Sequence, residues 1–98
     1  PLGCSVRLSL DAWQHITQDP SRQVLSVDQV LATVQHPAMI RKDKTFPHRR
    51  CYDQLTTVLS VPIAAYLKVV VDFSGNPAMI ITAFPTNRVH QGEEQLWP

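Results

Sequence analysis

Polar and apolar residues alternate from Ser5 to Leu8, and Ser9 then stands where a helix N-cap belongs, with Asp11 placed in the first turn where the helix dipole favours it. The pattern predicts a short helix running to about Gln18. Leu10, Trp13, Ile16 and Thr17 recur at helical spacing on one face, Asp11, His15 and Gln18 fall on the other, and Asp19-Pro20 closes the segment. A second helix is predicted over about Val27 to His36. Ser26 and Gln29 have the spacing of a capping box, Leu25 and Val30 occupy the hydrophobic-staple positions, and Pro37 ends the helix. Val27, Val30, Leu31 and Val34 supply its apolar stripe.

After Pro37 the period falls to two. Strands are expected at Met39 and Ile40, from Arg49 to Thr57, from Ala65 to Phe73 and from Ala78 to Phe84. In the third, Leu67, Val69, Val71 and Phe73 alternate with Tyr66, Lys68, Val70 and Asp72, so one face is wholly apolar and belongs against the helices. Ser74, Gly75, Asn76 and Pro77 make a short turn, which joins this strand to the next as an antiparallel hairpin. The expected fold is α+β: two N-terminal helices packed on one face of a roughly four-stranded antiparallel sheet, the other face partly free. The domain is expected to span residues 4–87, with 88–98 a polar tail and Pro1–Gly3 the remnant of an expression tag.

At 98 residues the chain has room for one core only, so a functional site is expected at its rim. The formal charge of +1 implies no polyanion ligand by itself, and local clustering has to decide. The mostly apolar stretch from Val58 to Val71 is interrupted by Ser60, Pro62 and Lys68 and is shorter than the roughly 20 residues of a membrane span, so a soluble, cytoplasmic domain without a membrane partner is expected. Cys4 and Cys51 are read as free thiols.

Five of the nine basic residues, Arg41, Lys42, Lys44, Arg49 and Arg50, lie in and around one strand connection together with His48. Such a cluster suits an anionic ligand, and alternation sends either Arg49 or Arg50 to the face that displays Lys68. Two cations on one face fit a phosphate. His48 and Cys51 have the spacing of half a zinc site, which His36, His90 or Cys4 would have to complete, and no metal or other cofactor is expected from so incomplete a set. The three glycines are well separated, so there is no phosphate-cradling loop of the nucleotide-triphosphate type. His15 carries an imidazole, the group suited to proton transfer near neutral pH, and Thr82 offers a hydroxyl on the strand beside Lys68.

The segments Trp13-Gln14-His15-Ile16, Cys51-Tyr52, Tyr66-Leu67-Lys68-Val69-Val70-Val71 and Ile81-Thr82-Ala83-Phe84-Pro85, in that order over residues 9–87, resemble the barnase, EndoU, colicin and RelE superfamily of small nucleases and toxins, in its phage-type and polymorphic-toxin branches. The resemblance implies metal-independent cleavage of RNA by a toxin or effector domain, carried as part of a longer effector and met by a cognate inhibitor or immunity protein. It implies catalytic roles for His15, Arg49, Arg50, Lys68 and Thr82, and substrate contacts from Arg41, Lys42, Lys44, His48 and Tyr52. RNA supplies its own nucleophile, the 2′-OH, so a base, cations for the phosphate and an acid for the leaving oxygen suffice without a cofactor. The competing expectation is a non-catalytic protein-interaction module of the same fold, with Val58, Leu59, Val61, Pro62 and Ile63 as its apolar patch.

Overall fold

The computed structural model describes residues 6–18, 25–43, 45–55, 66–75, 77–86 and 94–97. The Ser9 side chain accepts a hydrogen bond from the Ala12 N–H and opens helix α1, Leu10–Thr17. At helix α2, Val27–Gln35, both halves of the capping box form: Ser26 Oγ accepts from Gln29 N–H, and Gln29 Oε1 accepts from Ser26 N–H. Leu25 and Val30 are buried, as the staple requires.

Among the described residues six strands follow the order β1 (Val6–Arg7), β5 (Ala78–Thr86), β4 (Tyr66–Asp72), β3 (Arg49–Leu55), β2 (Met39–Lys42), β6 (Glu94–Trp97) across one sheet. The four expected strands are β2 to β5, an antiparallel meander. Two more complete the sheet. β1, from the alternating segment before the first helix, pairs parallel to β5, and β6, from the segment expected to be a tail, pairs antiparallel to β2. The fold is therefore α+β with a mixed, mostly antiparallel sheet, larger than a four-stranded one, because both edges of the meander still had backbone groups to satisfy.

Both helices lie on one face of this sheet, α1 against β5 and α2 against β3 and β4. Leu67, Val69 and Val71 meet Ile16, Val30 and Val34 there, joined by Ile40, Tyr52, Ile80 and Ala83. Leu10 departs from the expected helix stripe: at the first helical position it is 70% exposed, and Val27 at the start of α2 is also largely exposed. The opposite face departs further from expectation. Cys51, Asp53, Lys68 and Val70 point to it and are all buried, so the centre of β4 is enclosed on both sides.

One irregularity reshapes β5. Val70 pairs with Thr82 while Val71 pairs with Ile80, so Ile81 is an extra residue, a bulge. Ile80 and Ala83 both enter the core as a result, and Thr82 and Phe84 turn to the far face.

Leu67→Ala is expected to lower the unfolding free energy by about 2–5 kcal/mol, the cost of a core cavity, whereas Leu10→Ala should change it by less than about 0.5 kcal/mol. Urea unfolding of both variants checks the assigned faces; comparable losses would contradict them.

Candidate functional site on the helix-free sheet face

The loop between β2 and β3 is folded by Asp43. Its Oδ2 accepts hydrogen bonds from the N–H groups of Thr45 (2.9 Å) and Phe46 (2.8 Å), while its own N–H donates to the Arg49 carbonyl (3.0 Å) and closes the hairpin. Phe46 in turn accepts from the Arg49 N–H at 3.1 Å. These bonds hold Phe46 so that the Arg49 guanidinium lies 4.2 Å from its ring centroid. Arg49 Nε also reaches Asp72 Oδ2 at 3.3 Å, across the pairing of β3 with β4.

Beneath this loop is a hollow of about 250 Å³ on the sheet face away from the helices. Its polar wall comprises Asp43, Thr45, Arg49, Lys68 and Thr82, and its apolar wall Phe46, Cys51, Val70, Ile81 and Phe84. The bulge on β5 is what brings the consecutive residues Ile81 and Thr82 both to the hollow. Lys68 is only 1% exposed, and the residue opposite it on β3 is Asp53, which is wholly buried. Directly opposed positions place Cβ atoms about 5 Å apart, so the register sets two groups of opposite formal charge side by side on the same buried face.

Of the expected catalytic residues, Arg49, Lys68 and Thr82 meet at this hollow. Arg50 does not. It alternates to the helix side of β3, where its guanidinium lies 4.6 Å from the Phe73 ring centroid, which answers which of the two arginines faces the hollow. Tyr52 also turns inward and is buried in the core, so it is not brought to the hollow. His15 is exposed on α1, in the helical layer on the other side of the sheet, and is not brought to the hollow. Arg41 is half-buried and shares the outer face with Cys51, its partner across the ladder; Lys42 and His48 are exposed beside the hairpin loop. Lys44, Cys4, His90 and the patch from Val58 to Ile63 lie outside the described residues. Cys51 is a free thiol, with Sγ 3.9 Å from Asp43 Oδ1.

Asp43, Thr45, Phe46 and Asp53 were not singled out by sequence reasoning. Asp43 had a readable signal, a short acid two residues ahead of a threonine in a hairpin loop, which is the spacing of an Asx turn. Asp53 needed the register of two strands, which no local pattern contains.

Burial works to raise the Asp43 carboxyl, but the Phe46 and Thr45 N–H groups, the Arg49 charge and the Cys51 thiol together outweigh it and hold the group below its ordinary value of 3.8. The Ser74 hydroxyl and N–H lower Asp72, against a small opposing effect of burial, and Arg49 lowers it further. Both are ionised at neutral pH.

Among the described residues no three His, Cys, Asp or Glu side chains converge as a metal site, and no helix is long and apolar enough to cross a membrane. No family model, curated protein or solved structure matches the chain.

Because the folded-state values of Asp43 and Asp72 lie below the unfolded ones, their contribution to stability is full above the ordinary carboxylate value of 3.8 and is lost as pH falls through the lowered values. Urea midpoints measured from neutral pH downward should therefore drop most steeply below that value. Asp72→Asn should be less stable at neutral pH and show a shallower acid decline, and an unchanged slope would remove Asp72 from this account.

Proposed function

We propose that this domain cleaves RNA by internal transesterification at the hollow on the helix-free sheet face. The observation that supports the reading is the meeting of Arg49, Lys68 and Thr82 with the ionised Asp43 around one concavity. In the proposed reaction the 2′-oxygen gives its proton to Asp43 Oδ1 and bonds to phosphorus. The bond from phosphorus to the 5′-oxygen breaks, leaving a 2′,3′-cyclic phosphate, and the proton taken up by Asp43 passes through a water in the open side of the hollow to the departing oxygen, which returns Asp43 to the carboxylate. Arg49 and Lys68 offset the negative charge that accumulates on the phosphoryl oxygens, and the Thr82 hydroxyl orients one of them.

This assigns proton transfer to Asp43 instead of His15. Oδ2 of Asp43 already accepts two backbone bonds, whereas among the described residues Oδ1 has only the long contact to the Cys51 thiol, which makes it the better placed oxygen to accept a proton. Lys68 and Arg49 stand beside carboxylates, Asp53 and Asp72, so their charges are held in place before substrate arrives.

The alternative, a protein-binding role, has a surface of its own to draw on: the groove of about 390 Å³ between α1 and α2, where Leu10 and Val27 are exposed beside Trp13 and Leu31.

Incubation with total RNA in excess chelator should yield fragments ending in cyclic phosphate. Asp43→Asn and Arg49→Ala should each lower turnover about a hundredfold, while His15→Ala leaves it within about twofold. Melting temperatures of the same variants separate chemistry from packing. Cleavage lost on chelation and restored by a divalent metal, or lost with His15 and kept without Asp43, would overturn the assignment.

A further inference from the structure

Phe46 has a position that the proposed chemistry does not use. The ring is 49% exposed, at the lip of the hollow, on a loop of charged and polar residues. A lone exposed aromatic means little, but this one is fixed at its N–H by Asp43 and at its carbonyl by the Arg49 N–H, with the Arg49 guanidinium 4.2 Å from its centroid. A rigid aromatic backed by a cation, with the rest of its surface open beside a cavity, is a stacking platform for a flat heterocycle.

The size and charge of the surroundings narrow what can stack there. The hollow, about 250 Å³, is of the order of a single nucleotide unit, and Phe46 lines it beside the cationic Arg49. A base inside a duplex is already stacked above and below and cannot reach a ring at the lip of a concavity without leaving the helix, at a cost of several kcal/mol. An unpaired base carries no such cost. Arg41 on β2, which shares the outer face with Cys51, lies just before the loop and adds a further positive charge on the side of the hollow.

We infer that the hollow binds one unpaired nucleotide of a single-stranded nucleic acid, the base stacked on Phe46 and the adjoining phosphate on Arg49. This takes the ligand class from the proposed function and adds to it the substrate form: single strands and loops are engaged, paired helices are not. Recognition through a π-face is tolerant of base identity, so binding is to depend on strandedness more than on sequence.

The probe is a 2′-O-methyl RNA oligonucleotide, which cannot undergo transesterification, offered to the full chain either as a single strand or annealed to its complement, with binding read by fluorescence anisotropy. The wild-type protein should hold the single strand at least about tenfold more tightly than the duplex, and Phe46→Ala should weaken the single-strand complex about tenfold without affecting the duplex, as expected for loss of one stacked base. Phe46→Trp should retain full binding. Phe46→Leu preserves apolar bulk without a π-face and should behave as the alanine variant does, which keeps the test decisive if alanine disturbs the loop. Equal affinity for both strand forms, or a leucine variant that binds like wild type, overturns the inference. Single-strand binding that depends on Phe46 in a protein that cleaves no unmodified RNA upholds it and overturns the nuclease reading; RNA cleavage with binding indifferent to Phe46 does the reverse.

Discussion

The charge of Lys68 is the constraint around which this sheet is arranged. It lies on a strand enclosed on both faces, between Leu67 and Val69, and removing an ammonium group from water costs several kcal/mol unless an opposite charge meets it. The residue across the ladder is Asp53, equally buried. A slip of two residues would keep every side chain on its own face yet set Lys68 against Cys51 or Leu55, leaving two charges mismatched. The register that avoids this also sets Arg49 opposite Asp72 at the far end of the same pairing. From there follow the ion pair of Arg49, the seat of its guanidinium on Phe46 and the position of the hairpin loop over the hollow.

The hollow consequently has ordered electrostatics and little net charge. Each cation lies beside a carboxylate, and Asp43 is held by backbone N–H groups. Such an arrangement does not gather polyanions from a distance, consistent with a formal charge of only +1 for the chain. What it offers is orientation: groups fixed before a ligand arrives need no reorganisation when charge develops on it.

How much of this was legible in the sequence depends on the range over which the information acts. Caps and staples are local, and Ser9, Ser26 with Gln29, and Leu25 with Val30 act as their spacing predicts. The strict alternation of β4 identified its core face, and with it the side on which Lys68, Thr82 and one arginine would gather. Features that depend on pairing across the sheet were hidden. Period-two reading of β5 puts Ile80 on the same face as Thr82, and only the bulge at Ile81 separates them. Alternation alone could not say that the outer face would be closed over Lys68, nor that a helix carrying His15 would leave that residue on the opposite side. β1 and β6 were missed for another reason: a run as short as the alternation from Ser5 to Leu8 does not by itself specify a strand, and their strand state comes from the edges they join.

Those short strands bear on solubility. A sheet edge displays unpaired N–H and C=O groups on which another chain can add, and the hazard grows with the length and flatness of the edge. Here the long strands β3 and β4 are interior, and the outermost strands are two and four residues long. The bulge in the pairing of β2 with β6 bends that margin further from a flat template. Should β6 detach, the strand laid bare is β2, where Arg41 and Lys42 stand as like charges against the same two residues of any second copy that pairs alongside it.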